Sequence, residues 1–213
     1  MLAIDHAILA VRDPEATAAL LADRSGLIAV PGGRHTGRGT GNWIVPLGSS
    51  YLELMTVVDR EEARGNPMGR WIHKQSRNGD RLAAVCLRTD GIDRVARRIG
   101  HGVEPMGRER ADGTVLRWRL AGLDAAMSDD RLPFFIQWDI DDDRDHPGRM
   151  PADHREAVDG ITWVEYGGDP HRLGEWLGDH TLPVRVVDEL PGPRRLALRT
   201  GAGQVVIDVT GVV

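Results

Sequence analysis

The chain of 213 residues contains one cysteine, Cys86, and one lysine, Lys74. A single cysteine excludes an internal disulfide and suits a reducing compartment. Cys86 sits in the apolar run "LAAVCLR", where it reads as a small buried residue. With no lysine outside position 74, a Walker phosphate loop has nothing to reach the outer phosphates. No stretch approaches the ~20 apolar residues of a membrane span. "MLAIDHAILAV" does not read as a signal peptide, because Asp5 and His6 interrupt it and no basic segment precedes it. An excess of positive charge is also missing. The formal net charge is −5, so broad attraction to nucleic acid is not expected. These absences lead us to expect a soluble, cytoplasmic protein with neither nucleic acid nor membrane as partner. Hydrophobic residues make up 41% of the chain, enough for a substantial core in one or two small domains.

The stretch "GGRHTGRGTGNW", residues 32–43, is rich in glycine and holds His35, Asn42 and Trp43. It could be a nucleotide loop. A dinucleotide fingerprint needs a third glycine where Asn42 stands, and a helix must come next. The continuation, "NWIVPLGSSYLELMTVV", reads as strand instead, so no nucleotide is expected here.

The pattern of elements repeats. "DHAILAVRD" reads as a strand. "DPEATAALLADRSG" reads as a helix with Asp13 as N-cap, Pro14 in the first turn and Gly26 as stop. "LIAVPGG", "NWIVPLG" and "SYLELMTVV" read as three further strands. The same β-α-β-β-β order recurs from "RLAAVCLRT" to "LPFFIQWDI", with a hairpin around "ADG". It recurs again from "GITWVEYGG" to "QVVIDVTGV". We therefore expect an α+β fold of three βαβββ units at 1–58, 80–141 and 159–213. Linkers fall at 59–79, with a short helix near "MGRWIHKQ", and at 142–158. The acidic run "DIDDDRD" lacks the residue order of a calcium loop and reads as solvated linker. A βαβββ unit has a curled sheet with one apolar face in need of a partner. Two side by side would form an open cup for a small ligand.

Alternation along strands indicates which residues share a face. His6, Ile8 and Ala10 share one, and Tyr51, Glu53 and Met55 share another. Glu53 is a carboxylate in an apolar strand, so it needs a cation, a metal or a proton. His6 is a candidate partner if the two strands are neighbours. Together they would suit a divalent metal such as zinc, iron, manganese or nickel. Equally, His6 could be structural and Glu53 could pair with an arginine such as Arg117.

"DHAILAVRD", "PGGRHTGRGTGNW", "YLELM", "RWRLAG" and "LPFFIQWD", in this order, resemble the glyoxalase-like branch of the vicinal oxygen chelate superfamily. The resemblance implies metal ligands on the first and last strands of two paired units. His6 and Glu53 match those positions in the first unit. Ala83 or Leu82 and Gln137 match them in the second, and a position near Thr162 together with Asp208 in the third. Gln137 cannot act as a carboxylate base, so the sequence departs here from the pattern of glyoxalase I. Whether the second unit or the third pairs with the first is open, and with it whether Gln137 or Asp208 completes the site.

Further cavity candidates are His35, in the connection after the second strand, and whichever of Asn42 and Trp43 faces inward. Gly32 and Gly33 would let that connection turn sharply. Arg117 and Arg119 alternate with Leu116, Trp118 and Leu120. They would face the cup, and bind a substrate anion, if the apolar side packs on the helix. Only one of Gln137 and Trp138 can line the cavity. His146 and His154 receive no role. Two functions are compatible with these residues. One is a metal-dependent enzyme (isomerase, lyase or dioxygenase) on a small oxygen-rich molecule, with Glu53 and His35 catalytic. The other is a metal-free protein that sequesters a small molecule. A homodimer is expected, because an odd number of units leaves one without a partner.

Overall fold

The structure is a computed structural model that describes residues 1–109, 115–140, 142–208 and 211–212. The first segment runs β1 (Leu2–Ala10), α1 (Pro14–Ser25), β2 (Val30–His35), β3 (Thr40–Pro46) and β4 (Tyr51–Val57). Asp13 caps α1 by accepting from the backbone N–H groups of Glu15 and Ala16, and Gly26, at φ 70°, ends it. Two short helices come next, α2 (Arg60–Gly65) and α3 (Pro67–Gln75). The second segment runs β5 (Arg81–Thr89), α4 (Ile92–Ile99), β6 (Val103–Glu109), β7 (Val115–Ala121), α5 (Leu123–Met127) and β8 (Phe134–Trp138). The expected turn around "ADG" lies outside the described residues. After α6 (Asp142–Asp145) come β9 (Val158–Gly167), α7 (Pro170–Leu177), β10 (Val184–Val187), β11 (Gly192–Thr200), β12 (Gly203–Asp208) and β13 (Gly211–Val212).

The first two segments join in one eight-stranded sheet, in the order β2-β3-β4-β1-β5-β8-β7-β6. Each half repeats the same pairing, with β1 parallel to β4 and β5 parallel to β8. The halves meet where β1 runs antiparallel to β5, with His6 opposite Cys86. The first unit therefore pairs with the second and not the third.

The third segment keeps the element order but pairs differently. Its first strand, β9, lies between β10 and β11 in a separate five-stranded sheet. That sheet packs on the side of the large sheet that carries α1 and α4. Val164, Tyr166, Leu196 and Leu198 join Leu21, Val85, Leu87 and Val95 in one buried cluster. The third segment is thus covered within the chain, and the reason for expecting a dimer, an unpaired unit, does not hold. A second cluster lies on the opposite, concave face and includes Ile8, Met55, Cys86, Phe134 and Ile136, roofed by Met68, Trp71 and Ile72 of α3. Alternation along each strand accounts for the division. Among the described residues no helix is long and apolar enough to cross a membrane.

Candidate functional site

A cavity of about 370 Å³ opens on the concave face. Its two walls differ in kind. The first unit supplies His6, His35, Asn42, Tyr51 and Glu53, while the second supplies Leu116, Trp118, Leu120, Phe134, Ile136 and Trp138.

The polar wall centres on Glu53, on β4. Asn42 Nδ2 donates to Glu53 Oε1 at 2.6 Å. His35 Nε2 stands 3.7 Å from the same oxygen, and His6 Nε2 stands 3.7 Å from Glu53 Oε2. Adjacent strands bring these groups together, since Asn42 pairs with Met55 across β3 and β4 and His35 pairs with Thr40 across β2 and β3. Tyr51 stacks on His6 with ring centroids 4.5 Å apart. Burial, with the nearby Asp5 and Glu53 carboxylates, holds the Tyr51 hydroxyl well above its ordinary range.

Behind His6 lies Asp5, which is fully buried. A register shift between Ile4 and His6 in the β1–β5 ladder falls at this residue. Asp5 Oδ1 is 2.7 Å from His6 Nδ1. Trp138 Nε1 donates to Asp5 Oδ2 at 2.9 Å, and His146 Nε2 is 3.1 Å from that oxygen. Burial opposes the charge on Asp5, but hydrogen bonds from His146 and His6 outweigh it and hold the carboxyl well below its ordinary range. An ionised Asp5 only accepts, so His6 Nδ1 and His146 Nε2 are the protonated nitrogens. The Gly148 N–H donates to His146 Nδ1, in agreement with that tautomer. His6 is left with Nε2 for the cavity.

His35 Nδ1 lies 2.9 Å from Thr40 Oγ1. Burial pushes the His35 pKa down, and the charges of Arg108 and Arg38 add to this against the pull of Glu53. His35 is consequently neutral near pH 7 and able to accept a proton.

Several expectations need correction. His35 is the last residue of β2, so the turn after it is Thr36–Gly39, where Gly37 and Gly39 take φ of 73° and 65°. Gly32 and Gly33 lie within β2 and serve close approach instead of turning. The Gly33 N–H donates to Asn42 Oδ1 at 2.9 Å, and a Cβ on Gly32 would run into that oxygen. Trp43 packs on the other face, against the helix-side core. Arg117 is exposed and outside the cavity, because Leu116, Trp118 and Leu120 turn their apolar side inward and not onto the helix. Arg119 is turned away as well, towards Asp93 and Asp139. Gln137 accepts from the Ile92 N–H at the start of α4, and its neighbour Trp138 lines the cavity. Asp208 belongs to the separate sheet.

The second-unit counterparts also shift. Cys86 pairs with Phe134 as His6 pairs with Tyr51, so Cys86 matches His6 and Ile136 matches Glu53. Reading the sequence missed Asp5 and His146, although "DH" at residues 5–6 already set a carboxylate beside the candidate histidine.

The donor set does not fit a resident divalent metal. The Nε2 atoms of His6 and His35 each stand 3.7 Å from an oxygen of Glu53, but these three donors do not gather with all their ligand atoms within 4.8 Å of one another, as sites of three or four ligands need. Ile136 and Phe134 offer none from the opposite wall. Among the described residues, only Asp5, His6 and Cys86 bring three candidate ligand atoms within 4.8 Å of one another. In that group Asp5 is already engaged by His6, Trp138 and His146. Burial, with the neighbouring carboxylates Asp5 and Glu53, holds the Cys86 thiol protonated.

The glyoxalase-like domain family matches residues 4–181. The crystal structure of a hypothetical protein from Staphylococcus aureus superposes with a TM-score of 0.71 at 17% identity, covering 94% of this chain and 92% of that one. It shows a shared fold over nearly the whole chain. A methylmalonyl-CoA epimerase from Mycobacterium tuberculosis aligns at 18% identity and a TM-score of 0.44, over 63% of this chain and 85% of its own. No curated protein matches. With its paired βαβββ units and a family match over well more than half its length, the chain belongs to the glyoxalase-like domain family.

Proposed function

We propose that the chain binds a small oxygen-bearing molecule in the concave cavity and moves a proton on it, with Glu53 as the base. The observation that carries this reading is the placement of Glu53. Each of its carboxylate oxygens faces a histidine Nε2 at 3.7 Å, at the wall of a cavity large enough for a small molecule. A base must reach the proton that it removes, and Glu53 is directed by Asn42 into that space. His6, held by Asp5, and neutral His35 are the groups able to relay the proton. The apolar wall of Phe134, Ile136, Trp118 and Trp138 would exclude water and hold the body of the ligand. No step requires a metal.

That apolar wall also supports a second reading, sequestration without chemistry. Exchange in deuterated water separates the two. Small ketones, esters and 2-oxo acids are incubated with the protein, and loss of the carbon-bound proton beside the carbonyl is followed by NMR. The expected result is wash-out for a compound that binds, slowed by roughly 10²- to 10⁴-fold in Glu53→Gln with binding retained. Binding with no wash-out, or wash-out untouched by Glu53→Gln, would leave sequestration as the function.

A further inference from the structure

Two arginines stand at the cavity without an acidic partner among the described residues. Arg38 lies in the β2–β3 turn, and Arg108 comes from β6 of the second unit. Both are half-buried and line the same space as His35 and Glu53. The guanidinium of Arg38 reaches two thioethers, Met106 Sδ at 2.9 Å and Met68 Sδ at 3.9 Å. That of Arg108 reaches Asn42 Oδ1 at 3.5 Å. Among the described residues neither forms an ion pair. The other arginine on the rim, Arg34, is engaged by Asp59 and Glu62.

A guanidinium carries five N–H donors in a fixed fork that matches an oxyanion, and a thioether is a weak acceptor. Two such cations beside an apolar wall are undersatisfied without a ligand. The Asn42 amide cannot supply the missing charge, and the Glu53 carboxylate is held by Asn42 and faces the two histidines.

We infer that the ligand of this cavity is an organic anion, with its carboxylate or phosphate held between Arg38 and Arg108 and its apolar body against Trp118, Phe134 and Trp138. This rests on the cavity being the ligand site proposed above and names the class of compound it takes. The two arginines arise from opposite halves of the sheet, so the anion would join them across the cup. It would lie on the His35 side, since both arginines already act on that ring. An anion there would cancel their effect and make His35 a better proton acceptor once the ligand is in place. Charge recognition would thus be coupled to proton transfer.

The experiment is calorimetric titration at low ionic strength with benzoate, phenyl phosphate and the neutral benzamide. The wild type, Arg38→Gln and Arg108→Gln are compared. At least one anion is expected to bind more tightly than benzamide, and which of the two it is distinguishes carboxylate from phosphate. Either substitution should cut that preference by about tenfold or more while leaving benzamide affinity unchanged. If benzamide binds as well as both anions, or the preference survives both substitutions, the inference fails and the cavity stands as the ligand site. If none of the three binds, the inference and the cavity reading fall together. For a variant that does not fold, added salt on the wild type gives the same decision. Anion affinity should weaken with salt and benzamide affinity should not, and equal response would overturn the inference.

Discussion

The amide nitrogen of Asn42 lies 2.6 Å from one carboxylate oxygen of Glu53, and the oxygen of the same amide takes the N–H of Gly33. One short side chain ties the backbone of β2 to the proposed base on β4. Gly32 is the neighbour that leaves room for it. In Gly32→Ala the new methyl must displace the Asn42 amide. We expect proton wash-out to fall at least as far as in Asn42→Ala, while affinity for benzamide changes little. Full activity in Gly32→Ala would show that this tie does not aim Glu53.

Asp5 predicts a stability effect. It is buried, charged and bonded to His6, His146 and Trp138. Asp5→Asn keeps the shape but replaces an ionised acceptor with a neutral amide, one end of which is a donor facing donors. Chemical denaturation should show a loss on the order of 3 kcal/mol. Because His6 then loses the group that fixes its tautomer, wash-out should fall as well. A variant as stable as the wild type would contradict the ionised state assigned to Asp5.

His35 predicts a pH effect. Its folded pKa lies below the ordinary histidine value of 6.5, chiefly through burial, with Arg108 and Arg38 contributing. Below 6.5 the unfolded chain takes up the proton first, so acid disfavours the folded state at this site. Thermal melts between about pH 7 and about pH 5 should show the wild type losing stability relative to His35→Gln as pH falls through about 6.5. A flat or reversed difference would mean that His35 is not held neutral.

Zinc provides a separate check. Dialysis against zinc should leave the wild type without a stoichiometric ion, because Ile136 stands where the second unit would need a donor. Ile136→His should raise zinc affinity, since it faces the cavity in the register of Glu53. Stoichiometric zinc retained by the wild type and lost in both His6→Ala and Glu53→Ala would restore the metal mechanism.

Much of this site was legible from strand periodicity. A period of two set His6, Tyr51 and Glu53 on inward faces, and the structure shows them together. Cap signals located α1 at Asp13, Pro14 and Gly26. Periodicity fails where facing depends on what the partner layer is. The alternation of Arg117 with Trp118 was visible, yet which side met the cup was not. Pairing across the sheet was equally hidden, since one residue of register separates Gln137 from Ile136 and reverses the face. The third segment misled for a related reason. Element order is a property of the chain, whereas the neighbours of β9 are set by long-range pairing. Asp5 escaped notice because a regular strand would turn it away from His6, and the irregularity at that point is a feature of the β1–β5 pairing.

The two walls of the cavity come from different units, one polar and one almost wholly apolar. Substitutions at Leu116, Trp118 and Leu120 of β7 would therefore remodel the shape offered to a ligand while leaving in place Phe134 and Trp138 of β8, which touch His6 and its partner Asp5. Within such a scaffold, substrate preference can drift along one half of the gene while the reaction is conserved by the other.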